Sequence, residues 1–80
     1  MTLEELAKLR TEARTAHFAA REARAAHTAE MTRKMAAGET VDADFMARGT
    51  ELQAAVDAAQ ARFKQLDRQH LAAFKAATAP

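Results

Sequence analysis

Residues Ala36–Asp42, Ala-Ala-Gly-Glu-Thr-Val-Asp, contain the signal for one helix to end and the signal for another to begin. Gly38 suits the position just after a helix, where the backbone commonly turns left-handed. Thr40 can cap the next helix, with Asp42 as the alternative cap, and Asp42 and Asp44 suit a positive first turn. The sequence therefore predicts a turn at 38–40 between two helices.

The sequence on both sides of this turn favours long helices. Thr2 and Glu5 form a capping box, and neither glycine nor proline occurs between them and Ala37. We expect helix 1 at about 3–37 and helix 2 at about 41–78, with Gly49 allowing the helices to approach closely. So short a connection makes neighbouring helices antiparallel. The predicted fold is all-α: one domain, 1–80, built as an antiparallel, coiled-coil-like two-helix hairpin.

Helical periodicity predicts which residues face each other in this hairpin. The second helix has an apolar strip with steps of three and four, typical of left-handed coiled packing. It consists of Phe45, Leu52, Val56, Ala59, Phe63, Leu66, His70, Ala73, Phe74 and Ala77. The first helix offers a strip with mostly small side chains. It consists of Leu6, Leu9, Ala13, Ala16, Ala20, Ala23, His27 and Met31.

Composition points to self-association. Alanine supplies 23 of the 80 residues, whereas Leu, Val and Phe together supply 12, so the core of one hairpin is thin. Small chains with thin cores commonly gain stability by oligomerising. Apolar side chains outside the two strips suggest where copies meet, and we predict a homodimeric four-helix bundle or a larger oligomer. The predicted oligomer interface contains Phe18, Ala25, Met46 and Leu71.

A basic stripe on helix 1 is the sharpest functional feature. Its members step by 4, 3, 4 and 3 along one side of the helix: Arg10, Arg14, His17, Arg21 and Arg24. Three interpretations stay open. The stripe can pair with acids of helix 2, for which Asp44, Glu51 and Asp67 are candidates. It can bind an acidic protein partner, with Phe18 as an apolar anchor, or it can bind phosphates of nucleic acid or a nucleotide.

The histidines carry a weaker metal signal. His27 and Glu30, like Asp67 and His70, have the three-residue spacing found in di-iron bundles. The hairpin register separates His27 from His70 by most of its length, however, and the additional inward glutamates are missing. We therefore predict no metal site. We interpret both histidines as residues of the seam, the contact between the two facing strips, where they tune register or pH response.

The remaining features disfavour catalysis and membrane binding. The chain lacks cysteine, serine and a glycine-rich phosphate loop, and a thin hairpin rarely forms a deep pocket. Residues 1–5 are acidic rather than basic, and no apolar run approaches the roughly 20 residues that span a bilayer. We expect a cytoplasmic protein (host cytosol if it is phage-encoded) that needs no cofactor. The predicted function is a non-enzymatic regulator, adaptor or phage-type inhibitor binding a partner through helix 1; a nucleic-acid or nucleotide binder and a structural scaffold are the alternatives.

Overall fold

A computed structural model describes all 80 residues and contains two α-helices with no strand. Helix α1 spans Leu3–Ala36 and helix α2 spans Ala43–Thr78. The helices pack antiparallel along their whole length in a rod with extents of 65 × 16 × 15 Å. The predicted all-α hairpin is therefore confirmed for a single chain. Neither helix has a segment long and apolar enough to cross a membrane.

The helix ends follow from local capping chemistry. Thr2 Oγ1 accepts a hydrogen bond of 3.0 Å from the Glu5 amide, and the Thr2 hydroxyl donates to the Glu5 carboxylate. At the other end of α1, Gly38 has a φ of 71°, and the Glu39 amide donates to the Lys34 carbonyl across 2.8 Å. This is the Schellman arrangement that a glycine after a helix favours.

The restart lies later than the predicted residue 41. Asp42 caps α2, since its Oδ1 accepts a 2.8 Å hydrogen bond from the Phe45 amide. Thr40 is not the cap, so the alternative cap suggested by the sequence is correct. The connection therefore runs from Ala37 to Asp42 rather than over 38–40, and Val41 lies within it partly buried. A carboxylate is a strong N-cap acceptor, which explains why Asp42 competes successfully with the threonine two residues earlier.

The predicted strip of α2 faces α1, apart from Phe74 and Ala77, which are exposed. Gly49 also lies in this contact and is buried. The positions of α2 that are shielded from solvent recur with steps of four and three, as in a coiled coil. They are Phe45, Gly49, Leu52, Val56, Ala59, Phe63, Leu66, His70 and Ala73, and Asp67 beside this series is also partly shielded.

The strip of α1 is rotated from its predicted position, because Ala16 and Ala23 are exposed. Positions of the basic stripe take their place in the contact. The physical reason is that an arginine stem covers more apolar surface than a methyl group while its charged end still reaches water. Most of the shielded positions of α1 recur with steps of three and four at Leu3, Leu6, Arg10, Ala13, His17, Ala20, Arg24, His27, Met31 and Lys34. Ala7, Leu9 and Glu30 are also partly shielded.

The core lies nearer the chain termini than the turn. Its buried apolar members are Leu6, Ala13 and Leu66, against which Leu9, Phe63 and Ala73 pack. No large side chain is completely buried. A single hairpin thus leaves most of its surface in water, and the thin core expected from composition is confirmed.

Candidate functional site

The basic stripe is divided by the way α1 packs on α2. Arg10, His17 and Arg24 are partly buried against α2, whereas Arg14 and Arg21 are exposed. The two groups alternate because the stripe steps by four and then by three residues. Its first, third and fifth members lie in the contact with α2, and its second and fourth members lie just outside that contact. The five residues therefore do not form one continuous free surface.

Arg10 is bound within the chain. Its Nε lies 2.9 Å from Asp67 Oδ1, and its Nη1 lies 3.4 Å from His70 Nδ1. Both side chains of the ion pair remain partly exposed, so the pair contributes little to stability. The interhelical pairing with Asp67 that the sequence suggested is confirmed. Glu51 instead forms a 3.3 Å ion pair with Arg48 of its own helix.

Arg24 is also bound within the chain, although by neutral partners. Its Nε donates a 3.2 Å hydrogen bond to Gln53 Oε1 on α2, and its Nη1 donates to Thr28 Oγ1. Because both Arg10 and Arg24 contact α2, their pairings also fix the register of the hairpin. One step forward along α1 corresponds to one step back along α2, which places Phe18 level with Ala59.

Arg14 and Arg21 make no hydrogen bond and no ion pair. Phe18 lies between them on the same side of α1, and its side chain is 56% exposed. The half-exposed phenyl ring therefore lies beside two guanidinium groups that have no partner within the chain. This group is the part of the predicted partner site that remains available to another molecule.

The hairpin has two broad faces, and the larger exposed apolar side chains lie on only one of them. On α1, the face that carries them holds the residues one or four positions after Arg10, His17 and Arg24. On α2, it holds the residues at the equivalent coiled-coil positions, because equivalent positions of two antiparallel helices lie on the same side of the pair. We call it the bulky face. Its large apolar side chains are Phe18, Met35, Met46, Leu71 and Phe74, each about half exposed or more.

The predicted oligomer interface falls on this same face. Phe18 and Ala25 lie on its α1 half, and Met46 and Leu71 lie on its α2 half, all of them exposed. The opposite side, which we call the alanine face, has small side chains at its centre. These are Ala16, Ala19, Ala23, Ala26, Ala55 and Ala58.

A shallow groove lies on each broad face. The larger groove, of about 450 Å³, lies on the bulky face near the turn and is lined by Arg24, His27, Met31, Met46 and Asp57 among others. The smaller groove, of about 220 Å³, lies on the alanine face between Ala16 and Arg62. Both are open depressions between two helices rather than enclosed cavities.

Sequence reasoning missed a cluster around His27 near the turn. The His27 ring stacks on Phe45 with centroids 4.1 Å apart, and its Nε2 lies 2.9 Å from the Phe45 carbonyl oxygen. A Cβ added at Gly49 would lie only 2.8 Å from His27 Cε1, so glycine makes room for the ring. The available signal was a glycine four residues after a phenylalanine, both on seam positions facing a histidine.

His27 and His70 lie toward opposite ends of the hairpin, at the Phe45 and Arg10 contacts respectively. No group of three or more His, Cys, Asp or Glu side chains is arranged to hold a metal ion. His27 Nδ1 is buried and has no hydrogen-bond partner. A Cβ added at Gly49 would lie 3.2 Å from this nitrogen, so the nitrogen faces the contact between the helices.

A small ionic cluster ties the end of α1 to the turn. Arg33 forms ion pairs of 2.6 Å with Glu30 and 2.8 Å with Glu39. The hydrogen bonds from Arg33 lower the pKa of the Glu30 carboxyl, and the two glutamates raise the pKa of the Arg33 guanidinium. Because these groups are exposed, the cluster orders the helix end more than it stabilises the fold.

No protein-family model matches the chain, and searches among curated proteins and among solved structures find no significant match.

Proposed function

We propose that the protein is a non-enzymatic interaction protein, a small regulator, adaptor or phage-type inhibitor that binds a macromolecular partner through helix α1. The observation that carries this proposal is the group formed by Phe18 and the unpaired Arg14 and Arg21. Within the originally predicted set, Arg10, His17 and Arg24 support α1 from the side facing α2. The contact with the partner is therefore centred on Arg14, Phe18 and Arg21.

The chemistry of this group indicates an acidic protein partner. Burying the Phe18 ring in an apolar pocket would contribute roughly 1.5–3 kcal/mol, because a large apolar side chain leaves water. The flanking guanidinium groups suit carboxylates, which they bind through two parallel hydrogen bonds. An apolar anchor with a charged rim is a common hot-spot arrangement in protein interfaces.

A nucleic acid or nucleotide partner is the second candidate, and the free arginines favour it too. Several features count in the opposite direction. The net charge is only +1 and the chain has neither Tyr nor Trp for base stacking.

We also propose that the chain self-associates, as a homodimeric four-helix bundle or a larger oligomer. Two observations support this proposal: the core has only three buried apolar residues, and large apolar side chains are exposed on one face. A scaffold or structural oligomer is accordingly the third candidate function. It differs from the first two because the same face would then serve assembly alone.

A pulldown from an extract of the native host, with matched variants, tests the interaction proposal. Arg14→Glu with Arg21→Glu and, separately, Phe18→Ala should each remove a specifically bound protein. Arg62→Glu, an exposed charge reversal outside the bulky face, should retain it. Equal capture by all four proteins, with circular dichroism showing intact helices, would contradict the proposal.

A gel-shift series separates the nucleic-acid candidate from the protein candidate. Binding that falls steeply with salt and disappears in the Arg14→Glu, Arg21→Glu variant would favour nucleic acid. Absence of any shift at low salt would rule out that candidate. A scaffold predicts instead that these charge reversals alter the size of the assembly and no binding to another molecule.

A further inference from the structure

Three of the five large apolar side chains of the bulky face, Phe18, Met46 and Leu71, are arranged symmetrically about the level of Phe18 along the rod. Phe18 lies level with Ala59, from the register set by the Arg10–Asp67 and Arg24–Gln53 contacts. Met46 precedes Ala59 by 13 residues and Leu71 follows it by 12. At 1.5 Å per residue, these offsets are about 20 Å and about 18 Å in opposite directions.

We infer that a second copy of this chain covers the bulky face with its turn at the opposite end, related by a two-fold axis through the level of Phe18. This inference rests on the self-association proposed above and specifies its arrangement. The axis places the two Phe18 rings against each other. It also places Met46 of each copy opposite Leu71 of the other, so that these three contacts match within about one residue of helix rise.

The size of the face and the composition of the core both fit this occupant. A face 65 Å long and 16 Å wide can bury the roughly 800 Å² per partner of a standard interface. Phe18, Met46 and Leu71 are each at least 50% exposed in the single hairpin, whereas its core holds three buried residues. Pairing would bury large side chains that one hairpin leaves in water. It would thereby supply the buried apolar surface that an isolated chain with so small a core lacks.

Charge on this face gives the arrangement a distinctive salt dependence. The two-fold axis brings Arg14 of one copy beside Arg21 of the other, on both sides of the Phe18 pair. Salt screens repulsion between exposed like charges, so the dimer should tighten as salt is added. Binding of an acidic partner to the same arginines should weaken instead, and the two events can thus be told apart in one titration.

Charge exchange between positions 46 and 71 tests the inference on the full chain. Within one copy these residues are 25 positions apart on one helix, about 37 Å, so they can meet only between copies. In sedimentation equilibrium, Met46→Glu and Leu71→Lys should each weaken the dimer at least about tenfold. The double variant should recover to within about threefold of the parent, because each glutamate then faces a lysine.

Two further variants serve as controls, because the native chain has no cysteine. Ala26→Glu, on the alanine face, should leave the dimer unchanged. Phe18→Cys should form a disulfide-linked dimer under mild oxidation, and Ala23→Cys should not. A double 46/71 variant no better than the single variants, in a chain that still self-associates, would overturn this arrangement and leave self-association standing. A parent chain that stays monomeric at high salt and high concentration would overturn both, while leaving partner binding to its own test.

Discussion

The two ends of the hairpin hold the helices together in different ways. At the terminal end, Leu6, Ala13 and Leu66 form a buried apolar core. At the turn end, the His27 ring stacks on Phe45, donates from Nε2 to the Phe45 carbonyl oxygen, and fills the space beside Gly49. Both ends use the same alternation of three and four residues along the seam. The spacing of residues along the seam therefore fixes which residues meet. The chemistry of those residues decides whether apolar burial or close steric fit holds the two helices together.

This difference predicts different responses to mutation. Burial energy at the terminal end scales with the apolar area removed from water, so truncation should be costly there. Fit at the turn end depends on one absent methyl group, so enlargement should be costly there. The following changes test that contrast, beginning with the largest expected effect.

Truncating the core at the terminal end should have the largest effect. Leu66, the most buried side chain of the core at 5% exposure, contacts both helices' apolar residues near the termini. Leu66→Ala should cost about 2–5 kcal/mol, because apolar burial is lost and a cavity remains. Chemical denaturation followed by circular dichroism would measure this cost. Arg62→Ala, at an exposed site outside the bulky face, is the control, and an equal loss in both would contradict the assignment of the core.

Enlarging the turn end should have the next largest effect. Gly49→Ala places a methyl group 2.8 Å from His27 Cε1, so the ring must move off Phe45. We expect a loss of roughly 1–2 kcal/mol after the gain of about 1 kcal/mol from better helix propensity. Adding His27→Ala removes the clash, so Gly49→Ala should stabilise that background. A double-mutant cycle measures this change of sign, and additive effects would show that the ring and the glycine are independent.

Capping at the start of α2 should have a smaller effect. Asp42→Ala removes the acceptor of the Phe45 amide and should cost about 1 kcal/mol. Thr40→Ala should change stability by less than about 0.5 kcal/mol, since Thr40 is exposed and lies outside the helix. Thermal unfolding of the two variants compares the caps directly. A larger loss from Thr40→Ala would place the start of α2 where the sequence first suggested it.

The sequence predicts the helices and the seam of α2 because their signals are strong and local. Thr2, Glu5 and Gly38 behave as capping chemistry requires, and the bulky residues from Phe45 to Leu66 mark one side of α2. The prediction of which α1 residues face α2 was partly wrong for a physical reason. Alanine is common on every side of α1, so its periodicity does not distinguish a buried strip from a good helix-forming surface.

The candidate site was only partly predictable for the same reason. Arg10, Arg14, Arg21 and Arg24 share one side of α1, and a modest rotation of that helix decides which of them face α2. The rotation depends on packing against individual partners such as Asp67 and Gln53. The His27 cluster also depends on register, since the exact alignment of the two helices places the His27 ring beside Phe45 and Gly49.

The smallest expected effect concerns acid sensitivity at the turn end. Arg33 lowers the pKa of the exposed Glu30 carboxyl in the folded chain below its ordinary value of 4.5. A carboxyl with a lowered folded-state pKa stabilises the fold above its unfolded pKa, and that contribution is lost as pH falls through the folded value. Between neutral pH and about pH 3, the melting temperature of Glu30→Gln should therefore fall less than that of the parent chain. Glu22→Gln, at an exposed glutamate with no ion pair, should follow the parent. Addition of salt should shrink the difference, because screening weakens an exposed pair. The apolar packing of Leu66, in contrast, should contribute equally to stability throughout this pH range. Identical pH profiles for the parent and Glu30→Gln would show that the pair of Glu30 and Arg33 orders the turn without contributing to stability.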